Sequence, residues 1–382
     1  MNTRNTRTRI RRFAPRRTAT VMAASAAALS LASCGVVGGV GSETKASPAK
    51  GDDITVGVLM PDKETARYEE FDYPIIKKRV AQLTNNKGTV LYANAQKDAK
   101  TQNRQLEDMV ADKVVDIVIV DAVDSKAIAS SIKKAKAAEI PVIAYDRLAQ
   151  GPIDAYISFD NELVGEVQGR ALVEKLGDST ASKIIMMNGS TTDPNAAQFK
   201  AGAMEELQDN VTISKMYDTK DWNPANAKVN MEKAIAAVGL DNIDGVYAAN
   251  DGIAGAVVDV LKTAGVAKVP PVTGQDADLA AVQRVVSGDQ YMTVYKSYLL
   301  EANTAAEMAV AKVQGRSIEF DALTRDRVDS PTQEDIPAQL VQPVALTREN
   351  IEDTVVGDGL YTVKQICTAK YRADCQEIGL LD

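Results

Sequence analysis

The sequence predicts an α/β protein built from two doubly wound parallel-sheet domains. Three observations carry that reading. Short Val/Ile-rich runs alternate with longer helical patterns, each unit taking about 25–30 residues, which suits a βαβ crossover. The alternation completes one set of strands and then restarts. At 382 residues the chain also has room for two domains of ordinary size.

The first 33 residues stand apart from this pattern. They carry seven arginines (Arg4, Arg7, Arg9, Arg11, Arg12, Arg16 and Arg17) and no acid. A small-sided apolar run, Thr18–Ala32, follows. It is too short for a membrane span, which needs about 20 strongly apolar residues, but it fits the apolar stretch of an export signal. The run ends in Leu31-Ala32-Ser33-Cys34. That ending resembles the lipobox of bacterial lipoproteins, in which the cysteine is diacylated and becomes the new N-terminus. Residues 1–33 are therefore read as a lipoprotein signal peptide and Cys34 as the lipidation site. The protein is expected to be exported and anchored at the outer face of the cytoplasmic membrane. Arg11-Arg12 suggests a twin-arginine route, although the residues after it match that motif poorly. Residues 34–51 are rich in Gly, Ser, Ala and Pro, and are read as a flexible tether.

The body then opens on strand-like runs at Ile54–Met60, Thr89–Ala93, Asp116–Val120, Pro141–Tyr145 and Ala155–Phe159. Helical patterns at Glu69–Leu83, Thr101–Asp112 and Asp124–Ala138 lie between them. The first strand is rich in Val and Ile on both sides, as a strand covered on both faces should be. Asp160–Gly165 reads as the first crossing between domains. The second set takes helix Glu162–Leu176, strand Lys183–Met187, helix Asn195–Leu207 and strand Val211–Lys215. Helix Ala225–Val238, strand Gly245–Ala248, helix Ile253–Ala264, strand Pro271–Thr273 and helix Leu279–Val286 complete it. Tyr291–Tyr295 and helix Ala302–Val313 have no obvious place in a finished second sheet.

Composition removes several function classes. The chain has no histidine, which excludes Ser-His-Asp and Cys-His nucleophile systems and any His-based metal site. Carboxylate chemistry stays open. Removing the seven leader arginines takes the formal charge from −8 to −15, and so acidic a body is a poor nucleic-acid binder. No GxxxxGK[ST] or GxGxxG run is present, nor a calcium loop of the DxDxDG type. No cofactor, metal or catalytic residue is assigned. With Cys34 acylated, Cys367 and Cys375 remain, eight positions apart. In an exported protein they suit a local disulfide pinning the C-terminal tail, with two free thiols as the alternative.

Ligands of open α/β sheets sit beyond the carboxyl ends of the strands, and polar residues gather there. Arg67 and Tyr68 follow the first strand, and Asp146 and Arg147 the fourth. Asp193 and Asn195 lie beyond Lys183–Met187, Asn250 and Asp251 beyond Gly245–Ala248, Asp276 beyond Pro271–Thr273, and Lys296 beyond Tyr291–Tyr295. Trp222, the only tryptophan, stands in the loop Lys220–Pro224. Such a list suits a sugar. Hydroxyls donate to carboxylates and accept from Arg, Lys and amide groups. Planar side chains grip adjacent hydroxyls with two bonds, and C–H faces lie on aromatic rings. Other readings stand beside this one: Asp193 and Asp251 as helix caps, Arg147 as a loop charge, Tyr68 and Trp222 as ordinary packing.

Four runs then carry a family resemblance: Ala144-Tyr145-Asp146-Arg147, Tyr156-Ile157-Ser158-Phe159-Asp160-Asn161, Gly274-Gln275-Asp276-Ala277-Asp278 and Met292-Thr293-Val294-Tyr295-Lys296. From roughly Ile54 to Ala345 the chain resembles the periplasmic sugar-binding proteins of ABC importers, of type I periplasmic binding protein fold. It is most similar to the xylose-binding and multiple-sugar-binding group. The resemblance implies two lobes joined by a multi-strand hinge. The chain would return to the first lobe at Tyr291–Tyr295 and cross again around Asp326–Ile336 to add Gln339–Ala345 to the second. The expected boundaries are 52–159 plus 291–325 for the N-terminal lobe, 160–290 plus 326–357 for the C-terminal lobe, and 358–382 for the tail.

The resemblance further implies ligand-binding roles for Arg67, Tyr68, Asp146, Arg147, Asn195, Trp222, Asn250, Asp276 and Lys296. One monosaccharide would be clamped between the lobes without chemistry and delivered to a permease and its ATPase. The protein would act as a monomer, touching the membrane through its lipid anchor only and no nucleic acid. Xylose leads, with glucose, galactose and arabinose behind it. Tyr68 departs from the xylose-binding pattern, which has tryptophan there, and Asp193-Pro194-Asn195 departs in its loop. Two rivals remain at this point: a sugar sensor feeding a signalling partner, and a secreted carbohydrate-active enzyme using a carboxylate pair such as Asp146 and Asp276.

Overall fold

The structure is a computed structural model that describes residues 49–111, 113–177 and 180–382. The signal peptide read at 1–33, Cys34, and the tether before residue 49 lie outside the described residues. The chain from Ser47 onward forms one unit, in which two lobes can be followed.

The first lobe starts with β1 (Thr55–Met60), α1 (Tyr73–Leu83), β2 (Thr89–Asn94), α2 (Ala99–Ala111) and β3 (Ile117–Val120). It continues with α3 (Ala129–Ala137), β4 (Val142–Tyr145) and β5 (Ala155–Phe159). These strands pair in parallel. Alternate side chains of a strand point to opposite faces, and β3 shows the result. Ile117 and Ile119 pack with Ile76 and Val80 of α1. Val118 and Val120 pack with Leu106 of α2 and Ile132 of α3. A strand buried on both faces needs the unbroken Ile-Val run that this one has.

The second lobe runs through α4 (Asn161–Leu176), β6 (Lys183–Asn188), α5 (Pro194–Leu207), β7 (Thr212–Asp218) and α6 (Pro224–Val238). Next come β8 (Gly245–Ala248), α7 (Asp251–Thr263), α8 (Leu279–Ser287) and β9 (Thr293–Tyr295). Its parallel sheet has the order β7-β6-β8. Parallel bridges Val246–Val272 and Gln275–Val294 carry the backbone pairing on to β9. Helices α4 and α5 pack backbone to backbone. A Cβ at Gly165 would lie 2.0 Å from the Phe199 carbonyl oxygen, and one at Gly202 2.0 Å from that of Glu162. Any larger residue would push away the helix that carries Asn195 and Phe199.

The chain then returns with α9 (Tyr298–Val313), α10 (Ser317–Leu323), β10 (Asp326–Ser330) and β11 (Gln333–Val341). Ala302, Ala305, Ala306 and Met308 of α9 bury against the first lobe's sheet. β11 pairs in parallel with β5, from Ala338–Tyr156 to Val341–Phe159. This completes a seven-stranded sheet of order β10-β11-β5-β4-β3-β1-β2. β12 (Val344–Leu346) pairs antiparallel with β9.

These pairings correct the expected exchange of strands. Tyr291–Tyr295 belongs to the second lobe, not to 291–325 of the first, because Met292 and Val294 pack against Val164 and Phe199. Residues 326–341 belong to the first lobe, not the second, because β5 offers β11 an open edge. The expected strand Gln339–Ala345 is broken at Gln342-Pro343, and only its far end, β12, joins the second lobe. The crossings fall at Phe159–Asn161, Tyr295–Tyr298 and Val341–Val344. Phe159, Tyr298 and Val341 touch one another there, with Phe71 and Leu360 against them.

The tail adds α11 (Val363–Ile366) and α12 (Arg372–Glu377). Cys367 and Cys375 are bridged, with Cα atoms 5.9 Å apart. Ile366 and Cys375 are fully buried with Val282, Val285 and Val286 of α8.

Candidate functional site

The hinge brings the carboxyl ends of both sets of strands face to face around a cavity. All nine residues singled out from the sequence line it: Arg67, Tyr68, Asp146 and Arg147 from the first lobe, Asn195, Trp222, Asn250 and Asp276 from the second, and Lys296 at the hinge. Thr65, Asp193, Phe199 and Gln275 line it as well.

Arg67 precedes a short π-helical turn, Tyr68–Asp72, that leads into α1. Its Nε donates to Asp72 at 2.8 Å and its Nη1 to Asp146 at 2.8 Å. Its Nη2 donates to Glu301 and, at 3.4 Å, to the Tyr145 hydroxyl. The guanidinium also lies 4.4 Å from the centre of the Tyr298 ring, a cation–π contact. Three carboxylates thus share one cation. Burial pushes the Glu301 carboxyl up to about 8, Arg67 pulls against this, and Asp146 and Asp72 add to the rise. Burial raises Asp72 too, against the pull of Arg67. For Asp146, burial also acts upward, but Arg67, Lys296 and Arg147 together outweigh it and hold the carboxyl below its ordinary value. The cluster thus favours the protonated form deeper in the lobe and the charged carboxylate at the cavity.

Asp146 sits at φ 56°, in the left-handed region that Asp tolerates better than most residues. Its carbonyl accepts from the hydroxyls of Tyr156 and Ser158, at 2.8 and 2.7 Å. Asn195 Nδ2 reaches the same carbonyl across the cleft at 3.0 Å.

Arg147 is tied from several sides. Its Nη1 donates to the Ala122 carbonyl at 3.0 Å and its Nη2 to the Tyr68 hydroxyl at 3.3 Å. Its Nε lies 3.0 Å from Asp193 of the opposite lobe and 3.4 Å from Asp121. Asp193 does several jobs at once. Its Oδ1 accepts from the Asn195 backbone N–H at 2.9 Å, capping α5, and its Oδ2 accepts from Trp222 Nε1 at 3.0 Å. Cap and cavity wall are the same residue. The Trp222 ring covers Gly189, where a Cβ would lie 2.0 Å from the indole. Its edge meets Phe199 with ring centres 6.3 Å apart.

On the far side Asp276, at φ 100°, pairs with Lys296 Nζ at 2.8 Å. The ammonium lies 5.0 Å from the Phe159 ring centre and 5.9 Å from that of Phe199. Asn250 caps α7 through its side-chain oxygen, which accepts from the Ile253 N–H at 3.0 Å. That leaves its NH₂ to donate. Asn195 Oδ1 and Gln275 Oε1 are buried acceptors with no hydrogen-bond partner among the described residues. Asp251 does not line the cavity. It accepts from Gln290 Nε2 at 2.8 Å, the Thr293 hydroxyl at 2.9 Å and the Asp278 N–H at 3.0 Å. It is neither ligand contact nor cap, but the strut under the Gln275–Asp278 loop.

Gln275 adjoins Asp276 within a run already notable in the sequence. Phe199 lies four positions after Asn195, on the same face of α5. Both carried a readable signal. Thr65, two residues before Arg67, carried none. Among the described residues no group of His, Cys, Asp or Glu could hold a metal ion, and no helix is long and apolar enough to cross a membrane.

Residues 56–317 match the periplasmic binding protein domain family. The chain is 34% identical over 324 residues to the D-xylose-binding periplasmic protein of Escherichia coli (strain K12), covering 83% of this chain and 94% of that one. It is 31% identical over 337 residues to the multiple sugar-binding periplasmic receptor ChvE of Rhizobium radiobacter, covering 82% and 93%. Among solved structures it resembles an ABC transporter solute binding protein from Clostridium phytofermentans with bound β-D-glucose. The TM-score is 0.74 at 27% identity, over 82% of this chain and 99% of that one. The chain belongs to the periplasmic binding protein family, with the type I fold, and is a protein that holds a solute rather than an enzyme that transforms one.

Proposed function

We propose that this protein captures a monosaccharide between its lobes, D-xylose first and glucose, galactose or arabinose next, and delivers it to the permease and ATPase of an ABC importer. The observation that carries this is the pairing of donors and acceptors around the cavity. Two buried amide oxygens, Asn195 Oδ1 and Gln275 Oε1, lack donors, while Asp146 and Asp276 are held by cations. Sugar hydroxyls both donate and accept, so they satisfy amides and carboxylates alike. Phe199 and Trp222 offer apolar surface to ring C–H groups. The names of the E. coli and C. phytofermentans proteins, with xylose and glucose, support a pyranose. Tyr68 in place of a larger ring keeps the choice between them open.

Binding couples to closure. Ligand-facing groups come from both lobes, so a sugar touching both favours the closed arrangement. Cys34 supplies the tether: a diacylated N-terminus holds a monomer at the outer face of the cytoplasmic membrane, within reach of a permease. Palmitate labels the wild type and not Cys34→Ser if this is right; equal labelling removes the anchor.

Titration calorimetry of the Cys34→Ser protein against D-xylose, D-glucose, D-galactose and L-arabinose tests the main reading. One of them should bind and raise the melting temperature. The absence of any effect from every pentose and hexose overturns it.

A further inference from the structure

The C-terminal tail is anchored on the second lobe, yet it reaches the first. Ile351, Val355 and Tyr361 are buried with Val282, Val285 and Val286 of α8. Gln283 Nε2 of α8 donates to the carbonyls of Gln365 and Ile366 at 3.0 and 3.3 Å. The Tyr295 hydroxyl donates to Asp358 at 2.8 Å, and the Cys367–Cys375 bridge closes the far end.

Phe71 of the first lobe enters this packing. It stands in the π-helical turn Tyr68–Asp72 and packs both on the tail cluster and on the hinge cluster of Phe159, Tyr298 and Val341. Its ring meets Tyr361 edge to face with centres 5.8 Å apart, and lies 5.7 Å from the Tyr298 ring. Aromatic pairs at such distances prefer particular orientations, so one ring fixes the next. Tyr361 is itself held: it is 4% exposed, and its N–H donates to the Val355 carbonyl at 3.0 Å.

Beyond Phe71 the contacts lead to the cavity by two routes. The first is the turn itself, in which the next residue, Asp72, accepts from Arg67 Nε at 2.8 Å. The second is Tyr298. The Arg67 guanidinium lies 4.4 Å from its ring centre, and its hydroxyl donates to the Asp276 carbonyl. Tyr298 therefore touches one cavity residue from each lobe. Binding groups keep a productive geometry when the side chains behind them are locked by packing. Here the packing ends on a residue of the tail.

We propose that Tyr361 is a positioning residue for sugar capture: acting through Phe71 and Tyr298, it fixes Arg67 and Asp276 where the ligand meets them. This rests on the first cavity holding a sugar. The test is calorimetry on the Cys34→Ser protein with D-xylose, D-glucose, D-galactose and L-arabinose, well below each variant's melting temperature. Tyr361→Ala should weaken the sugar that binds by about tenfold. Tyr361→Phe, which keeps the ring, should restore the affinity. Phe71→Ala should weaken it as well, and Phe71→Ala with Tyr361→Ala should be no weaker than Phe71→Ala alone, because residues acting through one contact are not additive. Tyr361→Leu keeps bulk without the ring and serves if Tyr361→Ala does not fold. Cys367→Ser with Cys375→Ser loosens the tail but leaves all three rings, so it should melt lower and bind as the wild type does. Wild-type affinity in Tyr361→Ala, losses that multiply in the double variant, or an equal loss in the cysteine variant overturns the positioning role alone. Binding of none of the four sugars by the otherwise unchanged protein overturns the first-cavity reading and the positioning role together.

Discussion

Asp276 and Glu301 are both buried acids beside a cation, yet they carry different roles. Asp276 faces the cavity and pairs with Lys296, so it stands ready to accept from a hydroxyl. Hydrogen bonds to charged groups contribute about 1.5–3 kcal/mol each. Asp276→Ala should therefore weaken sugar binding by about ten- to a hundredfold, and the buried Lys296 left behind adds to the loss. Asp276→Asn, which tolerates the same turn, should retain more of the affinity. Calorimetry of the two variants checks this, and wild-type affinity in both would remove Asp276 from the site. Glu301 lies behind Arg67, where burial favours its protonated form. Its value rises from an ordinary 4.5 to about 8. Over that window the folded protein binds a proton that the unfolded chain has released, so stability is full at low pH and declines as pH rises through about 8. Glu301→Gln keeps the shape without the titration and should flatten that decline in melting curves taken from pH 5 to 9. An unchanged slope would assign it to the other raised acids, Asp278 at about 7 among them. The cavity residues were legible in the sequence because they sit at strand ends, where short-range pattern and position coincide. Glu301 was not, because its partner Arg67 is 234 positions away and nothing local marks a mid-helix acid as buried.

At the scale of elements, the strands buried on both faces announced themselves and the edge strand β10 did not. β3 reads Ile-Val-Ile-Val and is wholly buried, whereas β10 reads Asp-Arg-Val-Asp-Ser with no residue fully buried. Edge strands are allowed such polarity because one side faces water, and their partner is set by which edge lies open. That is why β9 and β11 were placed in the wrong lobe, although Tyr291–Tyr295 and Gln339–Ala345 read as extended, while β12 does join the second lobe as expected. The tail is a different case: its cysteines were conspicuous and its packing was not. α11 and α12 are too short to be stable alone, and they fold onto α8 through Ile366 and Cys375. Closing a loop of eight residues is worth about 2–3 kcal/mol on the loop-entropy account. Cys367→Ser with Cys375→Ser should lower the melting temperature by a few degrees and leave the sugar-facing residues in place. An unchanged melting temperature would mean that packing on α8 alone holds the tail.

Across the whole molecule, the lobes meet through more than the hinge. Asn195 reaches the Asp146 carbonyl, and Arg147 reaches Asp193. Both ties use residues that also line the cavity, so ligand binding and closure draw on one set of groups. The number of crossings was implied by family resemblance rather than by periodicity, since no local pattern says which lobe a returning strand will join. The Arg147–Asp193 pair can be separated from the hinge by experiment. Both side chains are almost fully buried, 7% and 4% exposed, and removing one partner of a buried pair is strongly destabilising to the arrangement that buries it. Opening the cleft relieves that penalty, because Arg147 regains water. Asp193→Asn keeps an oxygen able to cap α5 and turns an NH₂ toward Arg147 and Trp222 Nε1 in place of the carboxylate oxygen that now accepts there. The sugar-free variant should therefore favour the open arrangement, with a larger radius of gyration in small-angle scattering than the wild type. Its affinity for sugar should fall tenfold or more, since part of the binding energy is then spent on closure. Saturating sugar should bring its scattering back to that of the liganded wild type. A variant that scatters and binds as the wild type does, with or without sugar, would show that the hinge alone sets the balance between open and closed.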